Sequence, residues 1–152
     1  MTTQPYPEQF DCVWLASDSE GNLGAFITAG AGPIPTAALN STAILFDDIE
    51  FRLLQLPLVS HFQLPDSVLS HDNFNGFAKR GLFVYDWSNI HRAYKLCAFA
   101  KKPISISSLP SDLENLARKV KLNKINFSSS QSVDVLPHMI CSETALGHLY
   151  GF

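Results

Sequence analysis

Cysteine is scarce and scattered in this chain: three residues, at 12, 97 and 141. An odd, widely spaced set argues against a disulfide framework and for a reducing compartment. A cytoplasmic location is therefore expected. No stretch approaches the roughly 18 consecutive apolar residues of a membrane span, so no membrane partner is expected. The start, "MTTQPYPEQFD", lacks a basic segment followed by an apolar one, which argues against a secretory signal. No lysine occurs between residues 1 and 78, and there is no G-x-S-x-G nucleophile elbow, no heptad run and no internal repeat.

What is present suits one ordinary domain. The chain has 152 residues, 46% of them apolar, and 11 are phenylalanine. That is enough to bury a core without staples. We expect a single domain over 1–152, with an irregular segment over 1–9. The formal net charge is −3, but it is unevenly spread. Residues 1–90 carry 10 acids and 3 bases, whereas residues 91–152 carry 8 bases and 4 acids. Such asymmetry marks surfaces of opposite sign, unless the two halves interleave and the fields partly cancel.

Periodicity and turn chemistry give the element order. "CVWLA" (12–16) and "LGAFITA" (23–29) flank "SDSEGN", whose Ser, Asp, Gly and Asn are turn formers, and read as a β-hairpin. Across 40–57, Leu45, Phe46, Ile49, Leu53 and Leu56 recur at helical spacing, and Pro57 stops the run. Alternation at 49–53 leaves a strand possible there, but the helix fits better. Residues 63–81 read as loop. "GLFVYDW" (81–87) and "AYKLCAFA" (93–100) read as adjacent antiparallel strands joined by a short link. "SSLPSDLENLARKVKL" is the strongest helix signal: Ser111 and Glu114 fit a capping box, and Leu113, Leu116 and Val120 share a stripe. "KINFSS" and "VDVLPHMIC" follow as strands. Strands and helices do not alternate regularly, so a doubly wound parallel sheet is disfavoured. The expected fold is α+β: one mostly antiparallel sheet of about five to six strands with two main helices packed on it.

The stretch most suggestive of a ligand is "ITAGAGPIPTA", 27–37. A phosphate loop needs converging backbone N–H groups, then Lys and Ser or Thr at a helix start. Here Gly32 precedes Pro33, which has no N–H, and Pro35 stands where a dinucleotide loop needs glycine. The stretch reads as a strand exit stiffened by proline. His138 and Cys141 form an H-x-x-C pair, but no second close pair accompanies it, so no metal is expected. "SEGN" lacks the length of a calcium loop. No cofactor is expected.

Two catalytic arrangements are conceivable on paper. Asp86, Ser88 and His91 lie close together after a strand, although Asp86 and Ser88 also suit turns. Cys12 or Cys97 could pair with a histidine, although both sit in apolar strands. Lys101, Lys102, Arg118, Lys119, Lys121 and Lys124 could form a basic strip for nucleic acid, but no aromatic residue is interleaved and the pI is 5.9.

"DCVWLASDSEGNLGAFITAGAGPIP", "GLFVYDW" and the "LP" helix at Leu109 and Pro110 resemble small bacterial immunity proteins encoded beside polymorphic toxins. The resemblance covers about 10 to 126 in general layout and carries no catalytic residue. It implies a non-catalytic protein whose partner is a cognate toxin domain. Many such toxins are basic nucleases, so the expected contacts are the acids Asp18, Glu20, Asp47, Asp48 and Glu50, with Trp87 as an aromatic anchor.

Overall fold

The computed structural model describes residues 6, 11–40, 44–64 and 72–135. The segment 1–9, apart from Tyr6, and the His138/Cys141 pair lie outside these residues, as does the end of the last expected strand. The fold is α+β. The described strands are β1 (Val13–Asp18), β2 (Leu23–Ile27), β3 (Phe62–Gln63), β4 (Phe83–Ser88), β5 (Ala93–Ala100), β6 (Lys121–Leu122) and β7 (Ser132–Val133). The described helices are α1 (Thr36–Leu39), α2 (Phe46–Leu53), α3 (Asp72–Ala78) and α4 (Ser111–Lys119).

The strands form one sheet in the order β3-β5-β4-β2-β1-β6, with β7 also paired to β5. The sheet is mixed, which corrects the mostly antiparallel expectation. β1–β2, β4–β5, β3–β5 and β5–β7 are antiparallel, but β2–β4 and β1–β6 are parallel. The reason is the connection. The chain leaves β2 and passes through α1, α2, β3 and α3 before β4. A crossover of that length returns a strand in the same direction, which a tight turn cannot do. Every residue of β1 and β2 is buried, because both sheet faces are covered and no polar alternation survives.

Trp14, Phe26 and Tyr85 lie side by side on one face of the sheet through the registers Trp14↔Phe26 and Phe26↔Tyr85. Their rings stack, with centroids 4.2 Å apart for Trp14–Phe26 and 4.9 Å for Phe26–Tyr85. Tyr94 meets Trp14 and Phe26 edge-on, and Phe127 closes the cluster from the C-terminal side. The Trp14 indole Nε1 donates to Tyr94 Oη at 3.1 Å, and Tyr94 Oη donates to the Pro33 carbonyl at 2.8 Å. Tyr85 Oη donates to the Ser130 carbonyl at 2.6 Å. Buried phenols and indoles need such partners.

The helical layer lies on the other face. Ser17, one residue out of phase with Trp14, donates through Oγ to the Ala117 carbonyl of α4. α2 turns Phe46, Ile49 and Leu53 inward at helical spacing, and Leu56 follows them into the core. α4 buries Leu113, Leu116 and Ala117. Arg52 of α2 clamps both carboxylate oxygens of Asp112 on α4. Ser111 does not form the expected capping box. Pro110 is the N-cap residue, and Glu114 instead accepts from Arg118 one turn on. α3 stands where a loop was expected, and packs against β4 and β5. "KINFSS" contains a 3-10 turn (Phe127–Ser129) rather than a strand, because Asn126 Oδ1 accepts from the Ser128 N–H and curls the chain.

The 27–37 stretch is resolved in detail. Ala29 and Gly30 both adopt positive φ, 51° and 79°. Ala31 and Gly32 donate to the Thr28 carbonyl, Gly30 donates to Thr28 Oγ1, and Ala29 donates to Asp11 Oδ1 at 3.0 Å. The four amides that could have cradled an anion are thus occupied by the chain's own Asp11 and Thr28. Gly32 passes close over the aromatic face. A Cβ there would stand 2.5 Å from Tyr94 Oη and 2.9 Å from Trp87 Cβ.

Gly32→Ala therefore pushes Tyr94 off its hydrogen bonds, and is expected to cost about 1–3 kcal/mol in chemical denaturation. The Arg52–Asp112 pair gives a pH signature. The guanidinium holds the Asp112 carboxyl below the usual carboxylate range. Its contribution is complete above the unfolded value and is lost as pH falls through the folded one. The side chains are 31% and 40% exposed, so the pair is worth at most about 1 kcal/mol after screening. Asp112→Asn should remove that increment at neutral pH, and the two proteins' denaturation midpoints should converge on acidification.

Candidate functional site

The registers Val13↔Ile27, Ile27↔Asp86 and Ser88↔Ala93 bring four chain positions to one end of the sheet: the start of β1, the end of β2, the end of β4 and the start of β5. The 28–32 turn and the 88–93 hairpin tip project from this end. β1 and β4 are two strand spacings apart, about 10 Å, so the features fit beneath one partner.

Beside them α2 and the start of β1 frame a cavity of about 330 Å³, lined by Asp11, Val13, Phe46, Glu50, Phe51 and Leu54. Phe51 stands on its rim 62% exposed, and Leu45 at the helix start is 53% exposed. Asp48 and Glu50 are exposed on the same helix. Asp48 lies in the first turn, where a negative charge suits the helix dipole. Phe51 and Leu45 thus put exposed apolar area beside carboxylates at this end of the molecule.

The hairpin tip offers a second apolar group. Ile90 is 90% exposed. Its neighbours hold the loop in shape: Trp87 Nε1 donates to Asn89 Oδ1 at 2.7 Å, Ser88 Oγ meets His91 Nδ1 at 2.9 Å, and Arg92 closes the turn at φ 52°. An immobilised apolar tip loses little entropy on binding.

The expected contact residues fall into three groups. Glu50 lines the cavity, Asp48 is exposed on the same helix, and Asp47 also lies on it, its side chain outside the described residues. Asp18 faces inward. It is fully buried, and its carboxylate accepts from the N–H groups of Glu20, Asn22 and Phe127 and from the Asn22 side chain. It fastens the β1–β2 turn to the C-terminal segment and presents no charge to a partner. Glu20 is exposed at that turn, at the opposite end of the sheet from α2, and accepts from Asn126. Trp87 is half-buried, its ring edge-on to Tyr94 at 5.2 Å, so it supports the 32–34 segment and exposes one margin at the candidate end.

Ser88 and His91 do meet, but in a surface turn in which the His91 backbone N–H also donates to Ser88 Oγ. Among the described residues nothing orients the other imidazole nitrogen, which a nucleophile–base pair requires. Cys12 and Cys97 are buried. Burial, with Asp86 nearby, pushes the Cys97 thiol well up, away from the reactive thiolate. Among the described residues no three His, Cys, Asp or Glu side chains are grouped to hold a metal, and no helix is long and apolar enough to cross a membrane.

The basic residues at 101–124 do not form one strip. Lys101 and Lys102 follow β5, while Lys121 lies on β6, four strand spacings or about 19 Å across the sheet. Arg118 is held by Glu114. Comparison of the chain with protein families, curated proteins and solved structures finds no match.

Cys97 should stay unmodified when the native protein is treated with iodoacetamide at pH 8, and react once it is unfolded. Peptide mapping by mass spectrometry reads this directly, and modification of Cys97 in the native protein would reinstate a Cys-based active site.

Proposed function

We propose that this chain is a non-catalytic binding protein that neutralises a cognate bacterial toxin domain, and that it docks through the α2 end of the sheet. The observation that carries the reading is the exposed Phe51, set between Asp48 and Glu50 on the rim of an acidic cavity. The resemblance to immunity proteins supplies the class of partner. The carboxylates supply its expected sign, since opposite charge speeds encounter and disfavours wrong partners. Phe51 and Ile90 are the apolar anchors around which such a contact is built. An inhibitor of this kind needs a rigid surface and no reacting groups, which agrees with the Ser88–His91 pair serving its turn and with the buried thiols.

The decisive experiment is capture of the partner from the producing strain, followed by co-expression with the protein encoded beside this chain. Protection of cells together with a co-eluting complex is expected. Phe51→Ala should weaken the complex at least tenfold, which corresponds to about 1.4 kcal/mol or more. The double reversal Asp48→Lys/Glu50→Lys should slow association by about 10-fold or more at low salt, with much of the loss masked at high salt. A complex that forms equally well with all these changes would remove the α2 end as the interface.

A further inference from the structure

A second composite surface lies beyond the C-terminal end of α2, beside the end of β5. The loop after α2 runs to β3, and the chain leaving β5 folds against it: Lys101 N–H donates to the His61 carbonyl, and Lys102 N–H to Ser60 Oγ at 2.9 Å. Val59 and Ser60 both donate to the Lys79 carbonyl. Leu58, Val59, Ser60, His61, Lys101 and Lys102 line a hollow of about 380 Å³. Leu58 is 65% and Val59 44% exposed, and the lysines around them are exposed too. This is an apolar centre with a cationic rim, the anatomy of a contact surface.

The acidic surface has the same anatomy with the opposite sign: Phe51 with Asp11 and Glu50 at the cavity, and exposed Leu45 and Asp48 at the start of α2. The two surfaces share no lining residue. The acidic one adjoins the start of β1, and the basic one adjoins the end of β5. These positions are at opposite ends of the sheet and three strand spacings, about 14 Å, apart across it.

We infer that the basic Leu58/Lys101 corner receives the acidic α2 corner of a second copy of this chain. Two different patches make a heterologous, head-to-tail contact, which leaves a free patch at each end and can extend. Charge complementarity and matched apolar centres select this occupant. The inference does not rest on the toxin reading, although both occupants use the α2 corner and so exclude one another there.

The test is sedimentation equilibrium of the full chain. In about 20 mM salt the average mass should rise with concentration above the 16.8 kDa of the monomer, and in about 500 mM salt it should return to it. The variants Lys101→Gln/Lys102→Gln and Asp48→Asn/Glu50→Gln should each be monomeric alone. Mixed in equal amounts they should pair one to one and grow no further, because each keeps one intact patch. A wild-type mass that stays at the monomer up to about 1 mM in low salt would overturn the proposal and leave the basic corner to an acidic segment of another protein. Self-association unchanged in both variants would overturn it as well, and a circular dichroism spectrum matching wild type guards against misfolded variants.

Discussion

The hydrogen-bonded path from Trp14 through Tyr94 to the Pro33 carbonyl is the constraint on which the remaining structure depends. It joins β1, β5 and the segment leaving β2, three parts of the chain that are far apart in sequence. Each group on it is buried, so each bond must form or an orphaned donor is left in the core. The path fixes how far the Gly30–Pro35 segment can stand from the sheet, which is why Gly32 has no room for a side chain. Asp18 performs the corresponding task at the other end, where one carboxylate satisfies the amides of its own turn and the Phe127 amide.

This framework has a consequence for binding. The 28–32 turn, the 88–93 tip and the start of α2 are each tied to the same aromatic layer or to the strands that carry it. A surface assembled from loops on such a support is already in its binding shape, and preorganisation lowers the entropic cost of association. The absence of a reactive constellation among the described residues then has a physical reading. Burial raises the Tyr85 phenol and the Cys97 thiol and holds both neutral.

Much of the fold was legible because local signals agree with tertiary ones. The β1–β2 hairpin, β5 over 93–100 and the α4 stripe follow from turn residues and periodicity, which the packing reinforces. Other features were not legible. Residues 72–78 contain Asp, two Asn and a Gly, all poor helix formers, yet they form α3, so tertiary packing overrides their propensity. The parallel β2–β4 pairing was hidden because periodicity reports faces and not neighbours. The acids of α2 could be read as exposed from their helical phase. Asp18 could not, since a short carboxylate in a turn can face water or its own backbone, and the distant Phe127 amide decides the matter. Ile90 was missed, although a signal existed: "SNIHR" places an isoleucine at a hairpin tip where a polar residue would serve the turn as well.

The charge pattern completes the argument. The acidic first part of the chain and the basic remainder are not separate bodies, because β5 pairs between β3 and β4. Interleaving of that kind partly cancels the field wherever opposite charges lie close together. At two places charges of one sign are carried outside the strands, by a helix at one and by a loop at the other. α2 carries Asp48 and Glu50 to the β1 edge, and the turn after β5 carries Lys101 and Lys102 away from it. At each corner the nearest large side chains are apolar and exposed, so charge there borders a surface that gains from leaving water. Charge alone would steer a partner weakly, and apolar surface alone would bind without selection. Their conjunction, twice and with opposite signs, is what both proposed contacts draw on.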